Sequence, residues 1–129
     1  MKYLGIDFGS KRVGIAVSDE DGKMAFPHSV IQNDKNLLAE IENIIGNEGV
    51  NIIVMGESKN FKGEPNKIMK DIKKFKKILE EKTKLHVSFE SEFMTSSQAE
   101  QIQGKNEMHD ASAAAIILQS YLDKKDNMI

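Results

Sequence analysis

With 129 residues, 40% hydrophobic and 29% charged, the chain has the size and balance of one globular domain able to bury a core. It contains no cysteine, which excludes disulfides and thiolate metal sites. The formal net charge of −2 means that a nucleic-acid partner needs a local basic surface, because the field of the whole chain does not attract one. No stretch approaches the roughly 18 apolar residues of a membrane span, and the strand-like start shows no signal peptide. The expectation is a cytoplasmic protein without membrane contact.

Tyr3, Leu4, Ile6 and Phe8 form an apolar run too short for a helix and predict a buried first strand. Val13, Ile15 and Val17 alternate with small residues and predict a second. The Asp21-Gly22 pair predicts a hairpin turn into a third strand, Met24 to Ile31, whose Pro27 suits a sheet edge. Asn33 or Asp34 is expected to cap a helix through Leu37, Leu38, Ile41, Ile44 and Ile45, ended by Gly46 or Gly49. Ile52–Met55 is a continuous apolar run, as in a central strand covered on both faces. A loop from Gly56 to Asn66 precedes a helix marked by Ile68, Ile72, Phe75 and Leu79. Leu85, Val87 and Phe89 predict a fifth strand. Thr95 or Ser96 is expected to cap a short helix, and Asp110 to open an Ala-rich final one. The expected organisation is one domain over residues 1–122 and a frayed polar tail over 123–129.

Three meander strands followed by helix, strand, helix, strand and terminal helices predict an α/β, ribonuclease H-like fold. Its five-stranded mixed sheet takes the order 3-2-1-4-5, with helices on both faces. Strands 1, 4 and 5 run parallel in it, so their carboxyl ends lie side by side, where open α/β sheets place their sites.

Asp7 ends strand 1, Glu57 follows strand 4, Glu92 follows strand 5, and Asp110 opens the last helix. Two unit charges ~4 Å apart repel by about 4 kcal/mol at an effective dielectric near 20. A convergent set therefore calls for a cation or raised pKa values, and oxygen-only ligands suit Mg²⁺ or Mn²⁺. Such ions can clamp the attacking and leaving oxygens of a phosphodiester displacement. Taken singly, each carboxylate is equally a helix cap or a solvated charge.

"LGIDFGSKRVGIAVSD", "GESKNFKGEPN", "FESEFMTSSQAE" and "HDASAAAIILQSYLD" resemble, in order and over nearly the whole chain, the motifs of the YqgF/RuvX family. That family is described as pre-16S rRNA nucleases and formerly as Holliday junction resolvases. The resemblance implies a divalent-metal-dependent nuclease cutting near the 5′ end of ribosomal RNA precursors, with Asp7, Glu92 and Asp110 as the acidic metal site. The chain departs from the family pattern where Ser91-Glu92-Phe93 stands for a common Asp-Glu-Arg, and where Gly56-Glu57-Ser58 stands for Gly-Leu-Pro. The related junction-resolving nucleases resemble this chain in placing a Glu at the end of the equivalent strand, so Glu57 is expected near Asp7 as a fourth carboxylate.

Around this set, Gly9 permits a sharp break and a close phosphate approach, and Lys11 and Arg12 can pair with phosphate oxygens. Ser10 lies in the same turn, and Asn60 and Lys62 on the next loop can grip substrate. Lysines on the helix before strand 5 could track a nucleic-acid backbone or simply be solvated. The expected partner is structured nucleic acid, above all pre-ribosomal RNA, bound by a monomer or weak dimer. Branched DNA is the alternative substrate. A catalytically inactive nucleic-acid-binding module is the non-enzymatic alternative, and an actin-like nucleotide-binding fragment is a further one suggested by Asp7-Phe8-Gly9-Ser10.

Overall fold

The computed structural model describes residues 1–57, 68–91 and 109–126, with Ser91, His109, Asp110 and Asp126 described by their backbone alone. The elements are β1 (Tyr3–Phe8), β2 (Arg12–Ser18), β3 (Ala25–Gln32), α1 (Leu37–Glu48), β4 (Ile52–Glu57), α2 (Met69–Thr83), β5 (His86–Ser91) and α3 (His109–Asp126). The sheet order is β3-β2-β1-β4-β5, as the sequence predicts. β1 pairs antiparallel with β2 and parallel with β4, β2 pairs antiparallel with β3, and β4 pairs parallel with β5.

Side-chain alternation divides the core between the two faces. Leu4, Ile6, Phe8, Ile53 and Met55 pack with Leu37 and Ile41 of α1 and Ile72 and Leu79 of α2. Tyr3, Ala16 and Val54 face the opposite way and pack with Ala114, Ile117, Leu118 and Leu122 of α3. α3 comes so close that a Cβ on Gly5 would stand 2.8 Å from Leu118 Cβ and 3.0 Å from the Ala114 carbonyl oxygen. A side chain at position 5 would push the helix off the sheet.

Two local details differ from the sequence expectation, and a third decides between its alternatives. α1 starts after Asn36 rather than after Asn33 or Asp34. Both earlier residues are engaged elsewhere: Asn33 Nδ2 donates to the Gly9 carbonyl at 2.7 Å, and Asp34 Oδ1 accepts from the Asn36 N–H at 2.9 Å. Of the two candidate stops, Gly49 is the one used, with φ 70°. The tail expected to fray from Asp123 is helical through Asp126. It is anchored by Lys124 Nζ to Glu90 Oε1 at 2.8 Å and by Lys125 over the Tyr3 ring at 5.3 Å. The expected short helix at Thr95 or Ser96 lies outside the described residues. Among the described residues, no helix is long and apolar enough to cross a membrane.

Candidate functional site

Asp7 is the half-buried fifth residue of β1, a strand whose other side chains are packed. Its partner across β2 is Gly14. One step beyond the Ile6–Met55 pair, its neighbour on β4 is Gly56, which in turn pairs with Glu90 on β5. Asp7 is thus flanked on both neighbouring strands by residues without side chains, at the carboxyl edge of the parallel strands. The backbone holds a carboxylate there, with no neighbouring side chain at its level on β2 or β4.

α3 runs back over β1 toward this point. Its Tyr121 ring lies 6.0 Å from that of Tyr3, and Leu118 and Ala114 lie over Gly5. Moving up β1 from Tyr3 to Gly5 therefore moves back along α3 by about one to two turns. The next turn back carries Asp110 in its backbone and continues toward Asp7.

Glu57 ends β4 at the same edge and is half-buried. The register sets it beside Phe8, and alternation assigns it to the α2 face of the sheet, opposite Asp7. Glu92, Asn60 and Lys62 lie outside the described residues. Among the described residues, no three His, Asp or Glu side chains group closely enough to hold a metal ion.

The turn between β1 and β2 is built by Gly9, where a Cβ would stand 2.5 Å from the Arg12 carbonyl oxygen. Asn33 clasps this turn twice, through its side chain to Gly9 and through its N–H to the Lys11 carbonyl at 2.9 Å. Ser10, Lys11 and Arg12 are exposed on it, close in sequence to Asp7. Sequence reasoning missed the clasping role of Asn33, treating it only as a helix cap.

It also missed Glu90. This carboxylate is 6% exposed, stands in the same cross-sheet row as Asp7 and Gly56, and pairs with Lys124. The alternation Ser88, Glu90 against Val87, Phe89 is the signal that could have found it. Its ion pair with the exposed Lys124 ties β5 to α3.

The family model described as "RuvX: Holliday junction resolvase" matches residues 1–124. The chain belongs to the RuvX family. Among its relatives is a "Putative pre-16S rRNA nuclease" of Sulfurihydrogenibium sp., 35% identical over 131 aligned residues that cover 95% of this chain and 90% of the relative. Another of that name, from Maridesulfovibrio salexigens, is 34% identical, with 95% and 98% covered. Among solved structures, RuvC of T. thermophilus in complex with a Holliday junction substrate superposes with a TM-score of 0.67 at 14% identity, covering 98% of this chain and 96% of that one. The RuvX chain therefore shares the ribonuclease H-like fold of RuvC.

Proposed function

We propose that this RuvX-family chain is a divalent-metal-dependent endonuclease that hydrolyses phosphodiester bonds in the 5′-end processing of pre-16S rRNA. The observation that carries this reading is Asp7 at the carboxyl edge, flanked by Gly14 and Gly56, with the first turn of α3 directed back toward it. The names of the curated relatives point to the RNA substrate.

The donor set is made of oxygen alone, which suits a hard cation, and Gly14 and Gly56 place no side chain beside Asp7. Asp7, Glu92 and Asp110 are the residues that would hold Mg²⁺ or Mn²⁺, with Glu57 as a supporting carboxylate at the edge. Bound there, the ion would stabilise charge on the phosphoryl oxygens and favour the hydroxide form of the attacking water. The chain's own groups position the substrate. Lys11 and Arg12 pair with phosphate oxygens, while Gly9 and Ser10 let the backbone approach closely. Asn60 and Lys62 extend the grip on the following loop. The setting is the cytoplasm and the working unit a monomer or weak dimer.

A second reading, resolution of branched DNA, is favoured by the description of the family model. One experiment separates the two. The purified chain is incubated with precursor 16S rRNA and with four-way DNA junctions, in Mg²⁺, Mn²⁺ or EDTA. Metal-dependent cleavage of the RNA supports the processing role, and paired incisions of the junction support resolution. Binding without cleavage of either would leave the inactive-module reading. Asp7→Asn and Asp110→Asn should each abolish cleavage without lowering the melting temperature, since one clustered charge is removed. Full activity in either variant would overturn the site.

A further inference from the structure

Around the carboxyl edge from Asp7, on the opposite face of the sheet, the surface opens into a cavity of about 300 Å³ between the β1–β2 turn and α2. This volume is at the small end of ligand sites. Its floor is apolar: Phe8 and Phe75, whose ring centroids are 5.2 Å apart, with Ile78 alongside. Its walls are polar: Ser10 from the clasped turn, Asn33 from just past the end of β3, and Asp71 and Lys74 from successive turns of α2. Asp7 and Phe8 are consecutive, so their Cα atoms are about 3.8 Å apart. The two faces therefore meet at this edge within one residue of the strand.

An aromatic floor beside a cation and hydroxyl and amide groups is the chemistry of a nucleotide site. Bases stack on aromatic faces and phosphates pair with lysine. The carboxylate of Asp71 bears on which nucleic acid would fit. Against a deoxyribose backbone a carboxylate only repels phosphate, whereas a ribose 2′-hydroxyl can donate to it. The turn that forms one wall is held by Asn33 through two hydrogen bonds, so that wall is in place before any ligand arrives.

We propose that this cavity receives one nucleotide of a single-stranded RNA segment flanking the cleaved bond. Its base lies against Phe75 and Ile78, its phosphate at Lys74 and Ser10, and its 2′-hydroxyl at Asp71. This rests on the nuclease reading for the identity of the neighbouring site, but its test does not depend on cleavage.

The probe is a fluorescein-labelled, twelve-nucleotide single-stranded RNA containing 5-iodouridine, bound to the full chain in EDTA and followed by anisotropy. Lys74 and Asp71 are both exposed, so replacing them spares the core. Lys74→Glu should weaken binding by about ten-fold, the loss of a charge-assisted phosphate contact. Lys82→Glu, an exposed lysine at the far end of the same helix, should change it by less than about two-fold, as a screened distant charge does. Asp71→Ala, which removes the acceptor, should erase the preference for RNA over DNA of the same sequence. Ultraviolet irradiation should cross-link the iodouridine to Phe75. The proposal is overturned if the two lysine variants weaken binding equally, if neither does, if the cross-link maps away from α2, or if the chain does not bind the RNA. Equal binding of DNA and RNA by the parent chain overturns the ribose assignment. A chain that passes these tests but cuts no precursor with Mg²⁺ keeps its cavity and loses the nuclease reading. A chain that cuts but is indifferent to Lys74→Glu does the reverse.

Discussion

Asp7 can sit at the carboxyl edge of the central strand because the strand itself is fixed by other residues. Its strand is anchored by Leu4 and Ile6, both fully buried, and its two cross-strand neighbours carry no side chains to crowd it. Glu57 has a different environment. Its place beside Phe8 gives it the α2 face, so its carboxylate must reach round the edge to share a cation with Asp7. Glu57→Leu should therefore move the Mg²⁺ concentration for half-maximal cleavage by less than about three-fold, under 1 kcal/mol of binding. Asp7→Asn should eliminate cleavage at any Mg²⁺ concentration. A ten-fold or larger shift in a Mg²⁺ titration of Glu57→Leu would make Glu57 a direct ligand. The sequence placed both residues at strand ends correctly. It could not assign their faces, because a one-residue difference in register inverts the face and register is set by pairing.

At the scale of elements, the meander was legible because three signals agree. Apolar alternation marks β2, and Gly22 supplies the turn with φ 69°. Pro27 sits on an edge strand where the β2–β3 register shifts. Helix ends were less legible, since a cap depends on which polar side chain remains uncommitted. The packing of α3 on β1 depends on Gly5, a contact that no sequence period reveals. Gly5→Ala would force Leu118 and the Ala114 carbonyl outward, at a cost of about 1–3 kcal/mol for overpacking. Thermal melts should show a loss of roughly 4 °C per kcal/mol for a chain of this size. An unchanged melting temperature would mean that α3 yields freely. A second inter-element link joins the chain start to the end of α1. Lys2 Nζ lies 2.9 Å from Glu48 Oε1. The Lys2 hydrogen bond, and then its charge, hold the Glu48 carboxyl below its ordinary value of 4.5. Hydrogen bonds from the Lys23 and Met24 N–H groups likewise hold Asp19 below 3.8. Both folded values are depressed, so the unfolded chain binds more protons in acid. Their stabilisation is complete above the ordinary values and fades as pH falls through the lower folded ones. Glu48→Gln should accordingly flatten the fall in melting temperature below pH 4.5 and leave its slope near neutrality unaltered. An acid limb identical to the parent's would show that Lys2 does not bias Glu48 in solution.

Across the whole molecule, the net charge of −2 works against a polyanionic substrate, so affinity must come from where the exposed cations cluster. Two groups face the carboxyl edge from different directions. Lys11 and Arg12 stand on the β1–β2 turn, and Lys74 stands on α2 across the cavity from Ser10. Lys70, Lys73 and Lys77 are also exposed on α2 and broaden its field. If Lys11 and Arg12 contact phosphates, each releases condensed counterions when substrate binds. The logarithm of the affinity then falls with the logarithm of salt by about 0.7 per contact on single strands and about 0.9 on duplex. Reversing both residues to Glu should weaken RNA binding and lower the measured slope by about 1.4 on a single-stranded probe. The clasp of Asn33 uses the Gly9 and Lys11 carbonyls, not the two side chains, so the turn should keep its shape in this variant. Melting temperature serves as the control for that. A weaker affinity with an unchanged slope would place Lys11 and Arg12 outside the phosphate path and leave α2 as the surface that carries the backbone.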